Sequence, residues 1–151
     1  MKQISLTNIA YLVFIILLLV GCIRKNEPEP DPPAPISSLD GYWNRGDIVV
    51  YINGTVGTFY QINSGEWVKA LNQGFITIGS LKFKNLTHLK DDTFYSGQEL
   101  WFHSNNQIID EVAWTITGEF NLRNNGNTLY VNTKDPWSDY WGSFEYTRMN
   151  P

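Results

Sequence analysis

Residues 112–123 read VAWTITGEFNLR, and this stretch decides the fold. Trp114, Ile116, Gly118, Phe120 and Leu122 fall on one side of an extended chain, and Thr115, Thr117, Glu119, Asn121 and Arg123 fall on the other. That period of two belongs to a strand with one face in a core. The turn residues Asn124 to Asn127 (NNGN) lead into a second alternating segment, 128–132, with Leu129 and Val131 inward. Upstream, β-branched residues 47–52 (DIVVYI) run into Asn53-Gly54, a strong hairpin signal, and residues 56–62 (VGTFYQI) return. Strands are also predicted at 75–78, at 81–89 with Leu81 and Phe83 opposite in face to Lys82 and Lys84, at 93–103 with a bend or bulge at Gly97, and at 142–149. Helical periodicity is confined to residues 65–71 (GEWVKAL), where Trp67, Val68 and Leu71 share a face. Seven or eight antiparallel strands in sequence order make an all-β meander. It escapes exposed edges most simply by closing into a small up-and-down β-barrel. A two-sheet β-sandwich of similar strand count is the alternative.

Residues 1–38 have a different character. Residues 9–20 (IAYLVFIILLLV) are an unbroken run of 12 apolar residues behind Lys2, the length of a signal-peptide core and short of the about 20 that a spanning helix needs. Leu19-Val20-Gly21-Cys22 resembles the bacterial lipobox, and Cys22 is the sole cysteine. The resemblance implies cleavage after Gly21 (signal peptide 1–21), diacylglycerol on Cys22, further acylation, and a membrane-anchored protein of the bacterial cell envelope, on the outer membrane. An uncleaved anchor with a structural cysteine, or a secreted chain cut elsewhere, is the competing reading. Residues 22–38 hold five of the seven prolines and read as an extended stalk at about 3.1 Å per residue, reaching roughly 50 Å. Glu27, Glu29 and Asp31 loosely resemble the acidic tract of surface-exported lipoproteins of the Bacteroides type. A plain solvated linker is the other reading, so the periplasmic or surface face stays open.

The folded domain is expected over 39–151. Its opening, Leu39-Asp40-Gly41-Tyr42-Trp43, resembles the G-x-W motif of lipocalins and their calycin relatives, and Arg148 in the last strand stands where those families stack a cation over the tryptophan. The resemblance implies an up-and-down barrel of about eight strands, with Gly41, Trp43 and Arg148 closing one end structurally. The chain is shorter than a typical lipocalin domain, lacks a long helix after the barrel and lacks the T-D-Y motif. It therefore looks most like the lipocalin-like domains of small bacterial lipoproteins, and no particular ligand carries over.

Composition excludes several functions. Fifteen acidic against eleven basic residues, net charge -4, with no basic run longer than Arg24-Lys25, speak against nucleic acid as a partner. With two histidines and a single cysteine outside the domain, neither a metal site nor a thiol nucleophile is indicated, and no cofactor motif is present. His103 adjoins Ser104, with Asp110 and Glu111 downstream, but strand neighbours point to opposite faces, which argues against a triad. Asp91-Asp92 and Asp110-Glu111 read as solvated turn charges, and no enzyme activity is expected. The surplus is aromatic: of 22 rings only Tyr11 and Phe14 precede residue 40. Three readings follow. A binding module would hold a small apolar or amphipathic ligand against Trp114, Phe120, Leu129 and Phe144. A surface module would take a glycan or protein on the loop rings Trp137, Tyr140 and Trp141. An envelope protein with a packed core would take no small ligand.

Overall fold

The computed structural model describes residues 38–90, 93–105 and 108–150. Cys22, the expected signal segment and the expected stalk up to residue 37 lie outside the described residues. Nine strands follow in chain order: β1 (Gly41–Asn44), β2 (Ile48–Asn53), β3 (Val56–Ile62), β4 (Leu81–Lys90), β5 (Phe94–Asn105), β6 (Ile108–Trp114), β7 (Gly118–Arg123), β8 (Thr128–Lys134) and β9 (Trp141–Met149). All pairings are antiparallel. β1 joins β9, and β4 joins β5, so eight strands close into a barrel while β6 extends from β5 alone. Closure pairs both edges of the eight-strand sheet, leaving β6 as an edge, and decides against the sandwich. At the expected Asn53-Gly54 turn, Gly54 has φ 61°, the left-handed first position of a two-residue hairpin, and its N–H donates to Asp40 Oδ1 at 2.7 Å.

The interior is packed from one end. Trp43, Ile48, Val50, Ile52, Phe59, Phe83, Phe120, Leu129, Val131 and Tyr146 are all fully buried. Phe83 meets the rings of Phe120 and Tyr146 edge-on at 5.1 and 5.7 Å. This end is shut by the residues of the G-x-W resemblance. The Arg148 guanidinium lies 4.3 Å from the Trp43 ring centroid. It donates to Gly126 O, Asp40 O and Ser38 O at 2.8, 2.6 and 2.6 Å, and Trp43 Nε1 donates to Leu39 O at 2.7 Å. One cation thus ties three chain segments over one indole.

Three expectations are corrected at the other end. Residues 112–123 are not one strand: β5 pairs Gly97 with Gly118 but Leu100 with Trp114, so the chain takes one extra residue between them and breaks at 115–117. Alternation fails there, leaving Ile116 80% exposed, while Thr115 turns inward and accepts from Glu99 N–H through Oγ1 at 2.9 Å. Residues 75–78 form no strand. They lie in a loop held by Gly79 N–H to Phe59 O (2.8 Å) and Phe59 N–H to Ser80 O (2.9 Å), with only Ile76 of the four buried. Asp110 and Glu111 lie within β6, not in a turn. The expected helix is α1 (Glu66–Asn72), burying Trp67 and Ala70. It is tied to β6 by Ile109 N–H donating to Gln73 Oε1 at 3.1 Å, just past its C-terminus.

Candidate functional site

The open end of the barrel is assembled from five sources: the β1–β2 turn, α1, β4, the overhanging β5 and β9. Lys82 arrives there by a register change. β4 faces β3 as Phe83↔Gly57 and Leu81↔Thr58, a bulge that turns both Lys82 and Phe83 inward. The simple alternation that places Lys82 outward is therefore overturned: Lys82 is 1% exposed and Leu81 is 39% exposed.

Around Lys82 the polar groups form one network. Its Nζ lies 2.7 Å from Glu99 Oε1, donates to Leu100 O at 2.7 Å and stands 4.2 Å from the Trp67 ring centroid. Glu99 Oε2 accepts from Trp101 Nε1 at 2.9 Å and from Thr133 Oγ1 at 2.6 Å. On the β1–β2 turn, Arg45 donates through Nε and Nη2 to Asp47 at 2.7 and 2.5 Å, and its guanidinium lies 4.7 Å from the Phe144 centroid. Burial alone would weaken the Arg45 cation, but Asp47, Tyr146 and Glu99 more than offset it and hold the group above its ordinary value. Lys82 goes the other way. Loss of water pushes its amine down, Arg45 adds to that, Glu99 pulls back, and the balance is about 8. Tyr146 Oη beneath them is buried without a hydrogen-bond partner, and burial drives its hydroxyl well above the ordinary tyrosine value.

Beside this network lies a half-open cavity of about 210 Å³ bordered by Arg45, Trp67, Lys82, Glu99, Trp101, Phe102 and Phe144. Its walls are two ring pairs, Trp67 against Phe102 at 4.6 Å and Trp101 against Phe144 at 6.0 Å. Gly142 makes room for the Trp101 ring, since a Cβ there would come within 2.6 Å of it. Of the ligand-lining residues expected from sequence, Phe144 borders the cavity. Phe120 and Leu129 lie in the packed core at 0% exposure. Trp114 is half-buried on β6 under the Lys84 ammonium, at 4.1 Å. The sequence signal for the missed pair is a Glu inside an apolar strand, Gln98-Glu99-Leu100-Trp101-Phe102, since a carboxylate there needs a partner.

The loop rings stand outside this cavity. Trp137 is half-buried, its ring 5.7 Å from that of His103, with Asp135 accepting from Trp137 N–H and Ser138 Oγ at 2.8 Å each. Tyr140 and Trp141 are 66% and 43% exposed. His103 Nδ1 lies 2.8 Å from Asp110 Oδ1 on the exposed β5–β6 hairpin. A further part of the aromatic surplus is an outer-wall cluster, with Tyr42 4.7 Å from both Tyr51 and Tyr60. Among the described residues no group of three or more His, Cys, Asp or Glu side chains is placed to hold a metal, and no helix is long and apolar enough to cross a membrane. Comparison with protein-family models, with curated proteins and with solved structures finds no match to this chain.

Proposed function

We propose that the domain is a non-enzymatic binding module of an envelope lipoprotein, anchored through lipid on Cys22, whose barrel mouth takes a small amphipathic ligand. One observation carries this reading. A barrel packed solid at its Trp43–Arg148 end leaves a cavity of about 210 Å³ at its other end, walled by four aromatic rings and a buried ion-pair network. Shape and chemistry are those of a small-molecule site, mostly apolar with a few fixed polar groups. The volume lies below the about 300 Å³ at which drug-sized pockets begin, so the ligand is small or protrudes. Arg45 and Lys82 are matched by Asp47 and Glu99, so a neutral hydrogen-bonding end suits the site better than an ion. The stacking of Arg148 on Trp43 supports the likeness to lipocalin-like lipoproteins.

The test is a tryptophan-fluorescence titration of the detergent-solubilised full chain with benzyl alcohol, a flat apolar ring with one neutral polar group. A saturable change with a dissociation constant between about 10 µM and a few mM, abolished in Phe144→Trp by filling the cavity, is expected for so few atoms. A non-saturating response equal in both proteins counts against the reading. A second reading is a glycan- or protein-binding surface on the loop, motivated by the exposure of Tyr140 and Trp141 beside Lys134, Asp135 and Asp139. Rings presented near polar groups suit sugar stacking. Trp141→Ala with Tyr140→Ala would then abolish pull-down on envelope glycan without unfolding the domain, and retained pull-down rejects it.

A further inference from the structure

The mouth cavity is bordered by a buried lysine. Lys82 is one of its lining residues and is 1% exposed, so its amine is shut off from bulk solvent beside the cavity. An ion pair kept for stability alone needs no space beside it. Here the space equals several waters at about 30 Å³ each, or one small ring. The charged groups facing Nζ are Glu99 from β5 and, more distantly, Arg45 and Asp47 from the β1–β2 turn. Loss of water, with a more distant second cation adding to it, favours a nucleophilic neutral amine, and Glu99 Oε1 at 2.7 Å is close enough to take and return its proton.

We propose that Lys82 captures small aldehydes, its Nζ forming a reversible imine with an aldehyde whose flat apolar body lies among Trp67, Trp101, Phe102 and Phe144. This rests on the mouth being a ligand site and names the ligand class it serves. The Lys82 ammonium passes a proton to Glu99, and the freed lone pair forms the N–C bond while the carbonyl π pair moves onto oxygen. A proton then transfers from nitrogen to that oxygen, giving a neutral carbinolamine. Glu99 returns its proton to the hydroxyl, the C–O bond breaks, water leaves, and the nitrogen pair closes the C=N bond. Ammonium and aldehyde become iminium and water with no oxidant or reductant, and the product cation keeps Glu99 as its counter-ion. An aldehyde fits better than a ketone because about 210 Å³ leaves little room for a second substituent beside four rings. Burial also favours the neutral amine: at pH 8 its fraction is roughly a hundredfold that of an ordinary lysine.

The experiment treats the detergent-solubilised full chain with benzaldehyde and cyanoborohydride across pH 6–10 and reads each lysine by peptide mass spectrometry, with benzyl alcohol binding measured in parallel. Lys82 is expected to take the reduced adduct at least tenfold faster than Lys69, Lys84 or Lys134 at pH 8. Its rate should level off above about pH 8, and benzyl alcohol should slow it competitively. Saturable benzyl alcohol binding with Lys82 labelled no faster than the surface lysines overturns the aldehyde proposal and leaves the ligand site standing. Absence of both binding and selective labelling overturns both.

Discussion

Replacing Glu99 with Gln keeps the shape of the buried side chain and removes its charge, so the loss of stability can be worked out from the groups around it. In the native fold the Lys82 ammonium is favoured over the neutral amine only by the gap between about 8 and the ambient pH. At pH 7 that gap is worth about 1.4 kcal/mol, at pH 6 about 2.7, and at pH 9 almost nothing. Without the carboxylate Lys82 sheds its proton, which caps its share of the loss at those values. A second, pH-independent part comes from Trp101 and Thr133, which donate to Glu99 Oε2 at 2.9 and 2.6 Å. A neutral amide accepts about half as strongly as a carboxylate, which adds about 1 kcal/mol. The variant is therefore expected to lose about 2.5 kcal/mol at pH 7, about 4 at pH 6 and about 1 at pH 9. The sign follows from linkage: below pH 8 the native fold holds a proton on Lys82 that the folded variant does not, while both unfolded chains hold it, so the deficit deepens with acid. Urea unfolding of both full chains, followed by tryptophan fluorescence at the three pH values, gives the difference. His88 and His103 are common to both proteins and cancel. A deficit that stays flat from pH 6 to 9 would refute the reasoning, because Lys82 would then carry the same charge with and without the Glu99 carboxylate.

The wild-type fold itself gains stability as pH rises from about 8 toward 10. The unfolded lysine still binds its proton there and the folded one does not, a gap from 10.5 worth up to about 3.4 kcal/mol; above pH 10 the raised Tyr146 hydroxyl reverses the trend. Urea midpoints that fall steadily from pH 8 to 10 would contradict this. Arg148→Met removes three hydrogen bonds to carbonyls and the stack on Trp43, a loss of about 3 kcal/mol that lowers Tm by roughly 10–15 °C; a drop under about 5 °C in a thermal scan would show that the lid holds little. Gly142→Ala drives a methyl into the Trp101 ring and is expected to cost about 1–3 kcal/mol and to change the near-ultraviolet circular dichroism, whereas an unchanged spectrum speaks against the close contact. Cys22→Ser should release the chain from the detergent phase in two-phase partitioning, and unchanged partitioning would reject lipid anchoring at that residue.

Much of the barrel was legible because its strands obey local rules. The alternation of Gly118, Phe120 and Leu122 and of Leu129 and Val131, and the Asn53-Gly54 turn, depend on nearest neighbours, and they appear as β7, β8 and the β2–β3 hairpin. The Trp43–Arg148 contact was readable only through a family pattern, since 105 residues separate the partners and pairing of β1 with β9 brings them together. The mouth was less legible because it is made by register changes. The bulge opposite Gly57 turns Lys82 inward against its own alternation, and the extra residue at 115–117 breaks a pattern that looks unbroken. Both depend on how a partner strand is placed, which the local sequence does not encode. Glu99 carried a weaker signal, a carboxylate amid apolar neighbours whose partner lies 17 positions away. The surplus of rings reads as function only after closure divides it among the packed core, the mouth and the surface.

The six tryptophans give six indole N–H signals, and those at the mouth differ in environment from the one at the packed end: Trp101 Nε1 donates to Glu99, and Trp43 Nε1 donates to Leu39 O. A nitrogen–proton correlation spectrum of the labelled chain titrated with benzyl alcohol therefore tests whether the barrel mouth is a ligand site. Saturable shifts at Trp67 and Trp101 with Trp43 unmoved are the result expected. No shift at either mouth tryptophan, or shifts confined to Trp137 and Trp141, would contradict it.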